Sequence, residues 1–321
     1  MEQADTDQAH IAELPPLAIE SAPHFACRAR LAEALESHQE IVPAADSPLG
    51  KLWRLVHSDL STIEQCVEVI ALDPALTARV FRTANSTAYG GKVSTLKEAV
   101  FFLGFAKLRE VVFSAGIFHQ LRTLKLPPKW THFWIRNIFI ARLAEKISSD
   151  CFRPAGTEYL AGLLHDVGWL FLLSAFPDEV EAILQSPLPL PEAEREILSF
   201  SHADVSALLC ARSHLPPQVV AAVRQHQHFD PTPWPQGVSG RGDARFLSVV
   251  LRLCDQLANS CQMLLLEEDP HTLERIESSP EALWLQAAGI HLDFRALVEE
   301  ELTKSQEVFS IFFIRCFTAL G

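Results

Sequence analysis

Residues 157–176 read TEYLAGLLHDVGWLFLLSAF. Apolar side chains fill nearly every position from Tyr159 to Phe176, so the stretch is expected to be a buried helix over 157–175. One polar pair, His165-Asp166, interrupts it. Burying a carboxylate without company is costly, so Asp166 requires a metal, a cation or hydrogen bonds. Neighbouring side chains on a helix diverge by about 100°. The pair therefore cannot close a site by itself, and partners must come from other helices. His202, His226, His228 and Asp255 are the candidates, each on a different expected element or at its end. Histidine with carboxylate suits iron, manganese or zinc. The residues alone favour a plainer alternative, in which these are hydrogen-bonded core groups tying helices together.

The pattern around this stretch is helical almost throughout. In 61–83 the residues Ile63, Val67, Ile70 and Ala71 recur at steps of three and four. Asp73-Pro74 then predicts a fresh helix start, because Asp caps and Pro fits the first turn. That helix is expected to stop near Asn85 and the Gly90-Gly91 turn. Thr95 with Glu98 forms a capping box for the next one, which Gly104 punctuates before a further helix to about Leu121. Pro127 and Pro128 end the first half. In the second half, helices are expected at about 130–149, 177–185, 191–200, 202–213 and 216–227. After a Pro- and Gly-rich loop at 229–243, more follow at 244–266, 271–277, 280–287 and 293–318. Strand alternation is absent, so the chain is read as all-α, in two packed helical lobes. Residues 1–44 are expected to be a loosely attached lead-in with one short amphipathic stretch, 28–36. Residues 45–128 form a first lobe and 129–321 a second.

Composition narrows the function. The 321 residues are 48% hydrophobic and 21% charged, a globular balance. Lys plus Arg is 27 and Asp plus Glu is 40, giving 27 − 40 = −13. Neutralising phosphates needs a basic face, so DNA is not expected as a partner. The 7 cysteines form no CxxC pair and no even set, which points to a reducing cytoplasm. The start, MEQADTDQAHIAEL, lacks the basic and apolar regions of a secretory signal. Neither Tyr159–Phe176 nor Val308–Leu320 is long and clean enough for a membrane span, so no insertion is expected. No Ser-His-Asp hydrolase elbow and no Gly-rich phosphate loop is present.

The pair embedded in Ala161-Gly162-Leu163-Leu164-His165-Asp166-Val167-Gly168 resembles the signature of the HD superfamily of metal-dependent phosphohydrolases. The upstream half resembles something narrower. Asp73-Pro74-Ala75-Leu76-Thr77-Ala78-Arg79-Val80, Ala84-Asn85-Ser86, Tyr89-Gly90 and Leu96-x-x-Ala99-Val100-x-x-Leu103-Gly104 are similar to the hallmarks of the HDOD domain. So are His202-Ala203-Asp204-Val205, Leu215-Pro216, Gln225-His226, Leu253-Cys254-Asp255 and Leu285-x-x-x-Gly289-Ile290. The resemblance runs over about 45–318. It implies a stand-alone bacterial regulatory protein, without catalytic residues, that works by binding a signalling partner protein, with a ligand in the relict pocket as a further option. The oligomeric state is left open. The other reading is a metal-dependent phosphohydrolase acting on a nucleotide or cyclic dinucleotide, and a third is a structural metal protein.

On this mapping His165, Asp166, His202, His226 and Asp255 are relict pocket residues. No cofactor is expected, with iron, manganese or zinc as the candidates if the degenerate site still binds one. Arg136 stands where the hydrolases often carry a metal-binding His. A guanidinium stays protonated and offers only donors, so Arg136 is expected to pair with Asp166 or Asp255 in place of the metal's charge. His132, one turn earlier, is a weaker substitute. Gln227 follows His226 where the family has a second His, with His228 shifted by one. The Gly-Tyr-Pro signature of the subgroup that cleaves cyclic di-GMP is missing. Asn85-Ser86 is a candidate ligand contact, although such pairs more often cap helix ends. Trp134 and Trp169 read as core, and Cys254 and Cys261 as small buried residues.

Overall fold

In the computed structural model the described residues are 22–37, 48–57, 61–85, 93–121, 131–151, 157–212, 215–233, 243–261 and 273–302. Among them there are helices and turns and no strand. The chain divides into two compact units, 39–126 and 1–38 together with 127–321.

The smaller unit contains α2 (Pro48–His57), α3 (Ile63–Ala71), α4 (Pro74–Ala84) and α5 (Leu96–Leu121). Local chemistry fixes where each begins. Thr62 and Gln65 make a reciprocal capping box for α3. Asp73 Oδ1 accepts from the Leu76 N–H at 3.1 Å and starts α4. Glu98 accepts from the Thr95 N–H at 3.1 Å while Thr95 Oγ1 accepts from the Glu98 N–H at 3.2 Å. Each such cap contributes about 1 kcal/mol. Gly104, at φ 67°, kinks α5, a conformation that a side chain resists. Leu52, Ile70, Val80, Ala99 and Leu108 form the core.

The larger unit begins with α1 (Ala22–Ser37), continues after the smaller unit with α6 (Thr131–Cys151), α7 (Glu158–Leu164), α8 (Gly168–Ala175) and α9 (Pro177–Gln185), and then α10 (Leu190–Leu198). It is completed by α11 (His202–Arg212), α12 (Pro217–Gln225), α13 (Ala244–Ser260), α14 (Leu273–Glu277), α15 (Pro280–Ala287) and a helical stretch at 294–302. Residues 22–37 are therefore not a loose lead-in. Cys27, Leu31 and Leu35, four apart, form one buried stripe. The helix is also tied down by polar contacts. Arg28 Nε donates to Ser199 Oγ at 3.0 Å, and Arg212 Nη1 donates to the Leu35 carbonyl.

Two close approaches position the His-Asp pair. A Cβ on Gly162 would lie 2.5 Å from Ala141 Cα, so α7 crosses α6 backbone to backbone. A Cβ on Gly168 would lie 2.1 Å from the His202 carbonyl oxygen, and the Gly168 N–H donates to Ser206 Oγ at 2.8 Å. The single helix expected over 157–175 is two helices. At 165–167 the bonds tighten, with Val167 N–H to Leu164 O at 3.1 Å and Trp169 N–H to Asp166 O at 3.0 Å. Such i to i−3 turns are a normal way to join helices, and the apolar pattern does not reveal one. No single described helix is long and apolar enough to cross a membrane. The expected helix ends at 262–266 and 303–318, the Gly90-Gly91 turn and Pro127-Pro128 lie outside the described residues.

Candidate functional site

Five elements of the larger unit deliver polar side chains to one buried point. α6 supplies Arg136, the 165–167 turn supplies His165 and Asp166, and α11 begins with His202. The end of α12 supplies His226 and Gln227, and α13 supplies Asp255. Asp166 is the hub. Its Oδ2 lies 3.3 Å from Arg136 Nη1 and 3.1 Å from His165 Nε2. Its Oδ1 lies 3.2 Å from His202 Nε2 and 3.4 Å from His226 Nε2. Arg136 Nη2 also donates to Asp255 Oδ1 at 2.7 Å and to Asn259 Oδ1 at 3.2 Å. Arg136 and Asp166 are each 4% exposed, so the guanidinium is inside the pocket.

All three imidazoles are oriented from behind. His165 Nδ1 donates to the Gly162 carbonyl at 2.7 Å, and His226 Nδ1 to the Val223 carbonyl at 2.7 Å. His202 Nδ1 donates to the buried carboxylate of Glu194 at 2.6 Å. Fixing Nδ1 as the donor turns each Nε2 toward Asp166, the arrangement by which outer groups orient metal-binding histidines. Trp169 stacks on the His202 ring with centroids 4.8 Å apart. Gln227 Nε2 sits 2.9 Å from His202 Nε2, and its carbonyl accepts from Arg252, which Glu281 holds at 2.6 Å.

The charges respond to this crowding. Burial alone would lower His165, but Asp166 and Asp255 outweigh it and raise it to about 9. Burial likewise acts against His202, and Glu194 with Asp166 raises it to about 10. For His226 burial prevails, and the ring is held neutral. Burial would raise the Asp166 carboxyl, yet His165, with hydrogen bonds from the His165 and His202 rings, holds it well below the usual range. Asp255 is lowered too, against its burial, chiefly by the Arg136 guanidinium.

The donor set fits a cation on the imidazole side. His226 Nε2 is buried with no hydrogen-bond partner, and it forms a cluster with His165 and Asp166 whose ligand atoms all lie within 4.8 Å of one another. Bonds of about 2.1 Å at ordinary coordination angles place adjacent ligand atoms about 3.0–3.4 Å apart, which matches the Asp166 spacings. His165, Asp166 and His226 would hold such an ion, which would supply Lewis acidity when bound. The Asp255 side differs, because Arg136 already lies against that carboxylate.

The remaining candidates are placed elsewhere. His228 is exposed and stands outside the cluster. Asn85 fastens the loop after α4, with Nδ2 donating to Val93 O at 3.2 Å and Oδ1 accepting from Val93 N–H at 2.8 Å. Cys254 is buried, its thiol pushed well up by burial, and Cys261 is half-buried. Ser86 and the side chains of His132 and Trp134 lie outside the described residues. Sequence reasoning missed Glu194 and Asn259. Asn259 was findable, four residues after Asp255 on one helix face. Glu194 sits among Glu192 and Glu196 and reads as a solvated charge.

An all-helical unit with a His-Asp turn at the centre of a histidine and carboxylate pocket has the form of the HD superfamily. The HDOD domain model matches residues 42–229, and the chain belongs to that family. A crystal structure of an HDOD domain protein of unknown function from Geobacter sulfurreducens superposes with a TM-score of 0.69 at 22% identity. It covers 89% of this chain and 98% of that one. A Shewanella amazonensis protein, provisionally named a phosphohydrolase, gives 0.62 at 21% identity over 86% and 98%. A Marinobacter aquaeolei protein, provisionally named a signal transduction protein, gives 0.59 at 22% identity over 92% and 66%. At these identities the likeness establishes the fold. An uncharacterised Treponema pallidum (strain Nichols) protein is 25% identical over 215 residues, 64% of this chain. The chain spans 41% of that protein's length.

Proposed function

We propose that the protein is a regulatory HDOD module that binds a partner protein and does not turn over phosphoesters. The observation that carries this reading is Arg136, whose guanidinium lies between Asp166 and Asp255. It neutralises the two carboxylates as a cation would. It cannot coordinate water or lower its pKa, so the half of the pocket it fills has no hydrolytic chemistry. Similarity to a protein provisionally named for signal transduction is consistent with a regulatory role. A second reading, metal-dependent phosphohydrolysis of a nucleotide or cyclic dinucleotide, is favoured by the unpartnered Nε2 of His226.

One assay separates the two. The metal-free protein is supplied with Mn²⁺ or Fe²⁺ and offered a nucleoside triphosphate, cyclic di-GMP and an activated phosphodiester. The regulatory reading expects no turnover above an Asp166→Ala control. Turnover in the wild type that vanishes in Asp166→Ala overturns it in favour of the second reading.

A further inference from the structure

We infer that the face α1 covers on the larger unit is a docking groove for a partner helix, and that α1 is its built-in competitor. The partner helix carries arginine or histidine in its first half and an apolar side chain at every fourth position. The inference names the site and the partner chemistry of the regulatory reading and rests on it. The chemistry follows from what lines the groove. α8 ends at Ala175 and α10 at Leu198. The last carbonyls of a helix have no partner within it and carry the negative end of its dipole. Both ends turn such carbonyls toward α1, which answers them with donors. Arg30 Nη2 donates to the Ala175 carbonyl at 3.2 Å and His24 Nε2 to the Glu196 carbonyl at 2.7 Å. The Cys27 thiol points to the Ile197 carbonyl at 3.9 Å, and Arg28 Nη2 donates to the Ser199 carbonyl at 3.5 Å. Glu179, in the first turn of α9, adds a carboxylate that accepts from Arg30. The Arg30 guanidinium also lies over the Phe176 ring, 4.6 Å from its centroid.

The far end of the groove has the opposite sign. Arg212, the last residue of α11, donates to the Leu35 carbonyl near the end of α1. The groove is thus negative where α1 begins and positive where it ends. It fixes the direction of the helix it takes as well as its charge, while Cys27, Leu31 and Leu35 fill the apolar strip between. Chain connectivity makes α1 replaceable. The chain runs from α1 into the smaller unit at 39 and returns to the larger one only at 127. Contacts, rather than a direct connection, therefore keep α1 in place. The Arg30 side chain is 47% exposed, and an exposed ion pair holds weakly. A partner helix with the same face can take over these contacts without opening any other helix of the unit.

The test uses a fluorescein-labelled peptide of the α1 sequence, APHFACRARLAEALES, and fluorescence anisotropy with the full chain in reducing buffer. Wild type should bind it weakly, because the tethered α1 competes at high effective concentration. The full chain with Arg28→Ala and Arg30→Ala should bind it about tenfold more tightly, since its own helix has lost two anchors. Adding Glu179→Arg to that chain should weaken binding about fivefold, and a peptide carrying Arg30→Glu should restore it. Circular dichroism checks that each variant is folded. No binding by the double variant, equal affinity in wild type and double variant, or indifference to Glu179→Arg would each overturn the inference. Peptide uptake is independent of turnover. A phosphoesterase that takes up the peptide as expected refutes the regulatory reading alone, and an inactive protein that does not refutes the groove alone.

Discussion

Replacing Arg136 with Ala removes the cation from beneath two carboxylates, and the structure sets the size of the effect. Arg136 is 4% exposed, and the Asp166 side chain is 6% exposed. Breaking a buried pair by deleting one partner costs about 3–5 kcal/mol, because the other charge stays behind without its partner. Two features reduce the cost here. The Asp255 side chain is 31% exposed and can recruit water. Asp166 also keeps His165 at 3.1 Å. The lower end, about 3 kcal/mol, is therefore expected. For a unit of this size that lowers Tm by about 6–12 °C. Tryptophan emission is the appropriate probe, because Trp53 is the only tryptophan in residues 39–126 and the other five report on the larger unit. Arg136→Met separates charge from volume: it should remain destabilised although it fills the space. An Arg136→Ala melting curve within a degree of wild type would refute the reasoning. So would full recovery of stability in Arg136→Met.

Stability of the apo protein should fall as pH rises from about 6.5 to about 10. His165 and His202 are raised to about 9 and about 10, so the folded state keeps protons that the unfolded chain has released. That contribution is fully present below 6.5 and gone above the folded values, and urea midpoints at three pH values with a His202→Gln control would reveal its absence. Gly168→Ala should cost about 3 kcal/mol, since its Cβ would lie 2.1 Å from the His202 carbonyl, a backbone atom that cannot swing aside. A thermal shift below 3 °C would show that α8 and α11 yield more than the packing allows. Leu31→Ala should destabilise the larger unit by about 2–4 kcal/mol, because Leu31 is fully buried there. A response confined to the smaller unit would place α1 wrongly.

Helix content was legible because its causes are local. Caps such as Asp73 and Thr95-Glu98 act within four residues, and their hydrogen bonds form where the sequence places them. The membership of α1 was not legible in that way. Its stripe of Cys27, Leu31 and Leu35 shows an amphipathic helix, but a stripe does not name the surface that it covers. That surface includes the 197–199 corner, roughly 170 residues away, reached through Cys27, Arg28 and the left-handed Ser199. The break at 165–167 was hidden for a different reason. Both sides of the turn are buried, so hydrophobicity runs through it without a change of period.

The site was partly readable because charge must be answered wherever it is buried. Asp166 in an apolar run demanded partners, and that demand implies a cluster before any coordinates are known. It does not say how the demand is met. The structure answers with three carboxylates, Asp166, Asp255 and Glu194, against Arg136 and two raised imidazoles, His165 and His202. Three negative charges thus face three positive ones. One dication replacing the two imidazole protons would leave the same balance, whereas two dications beside Arg136 would leave an excess of two positive charges. That count gives a physical reason why Arg136 and a second metal exclude each other. It also identifies Glu194 as the residue that most needed to be seen in advance. The face of α10 that buries Glu194 is set by Ala193 and Leu198, and the fate of a glutamate beside them depends on a histidine eight residues later in the next helix.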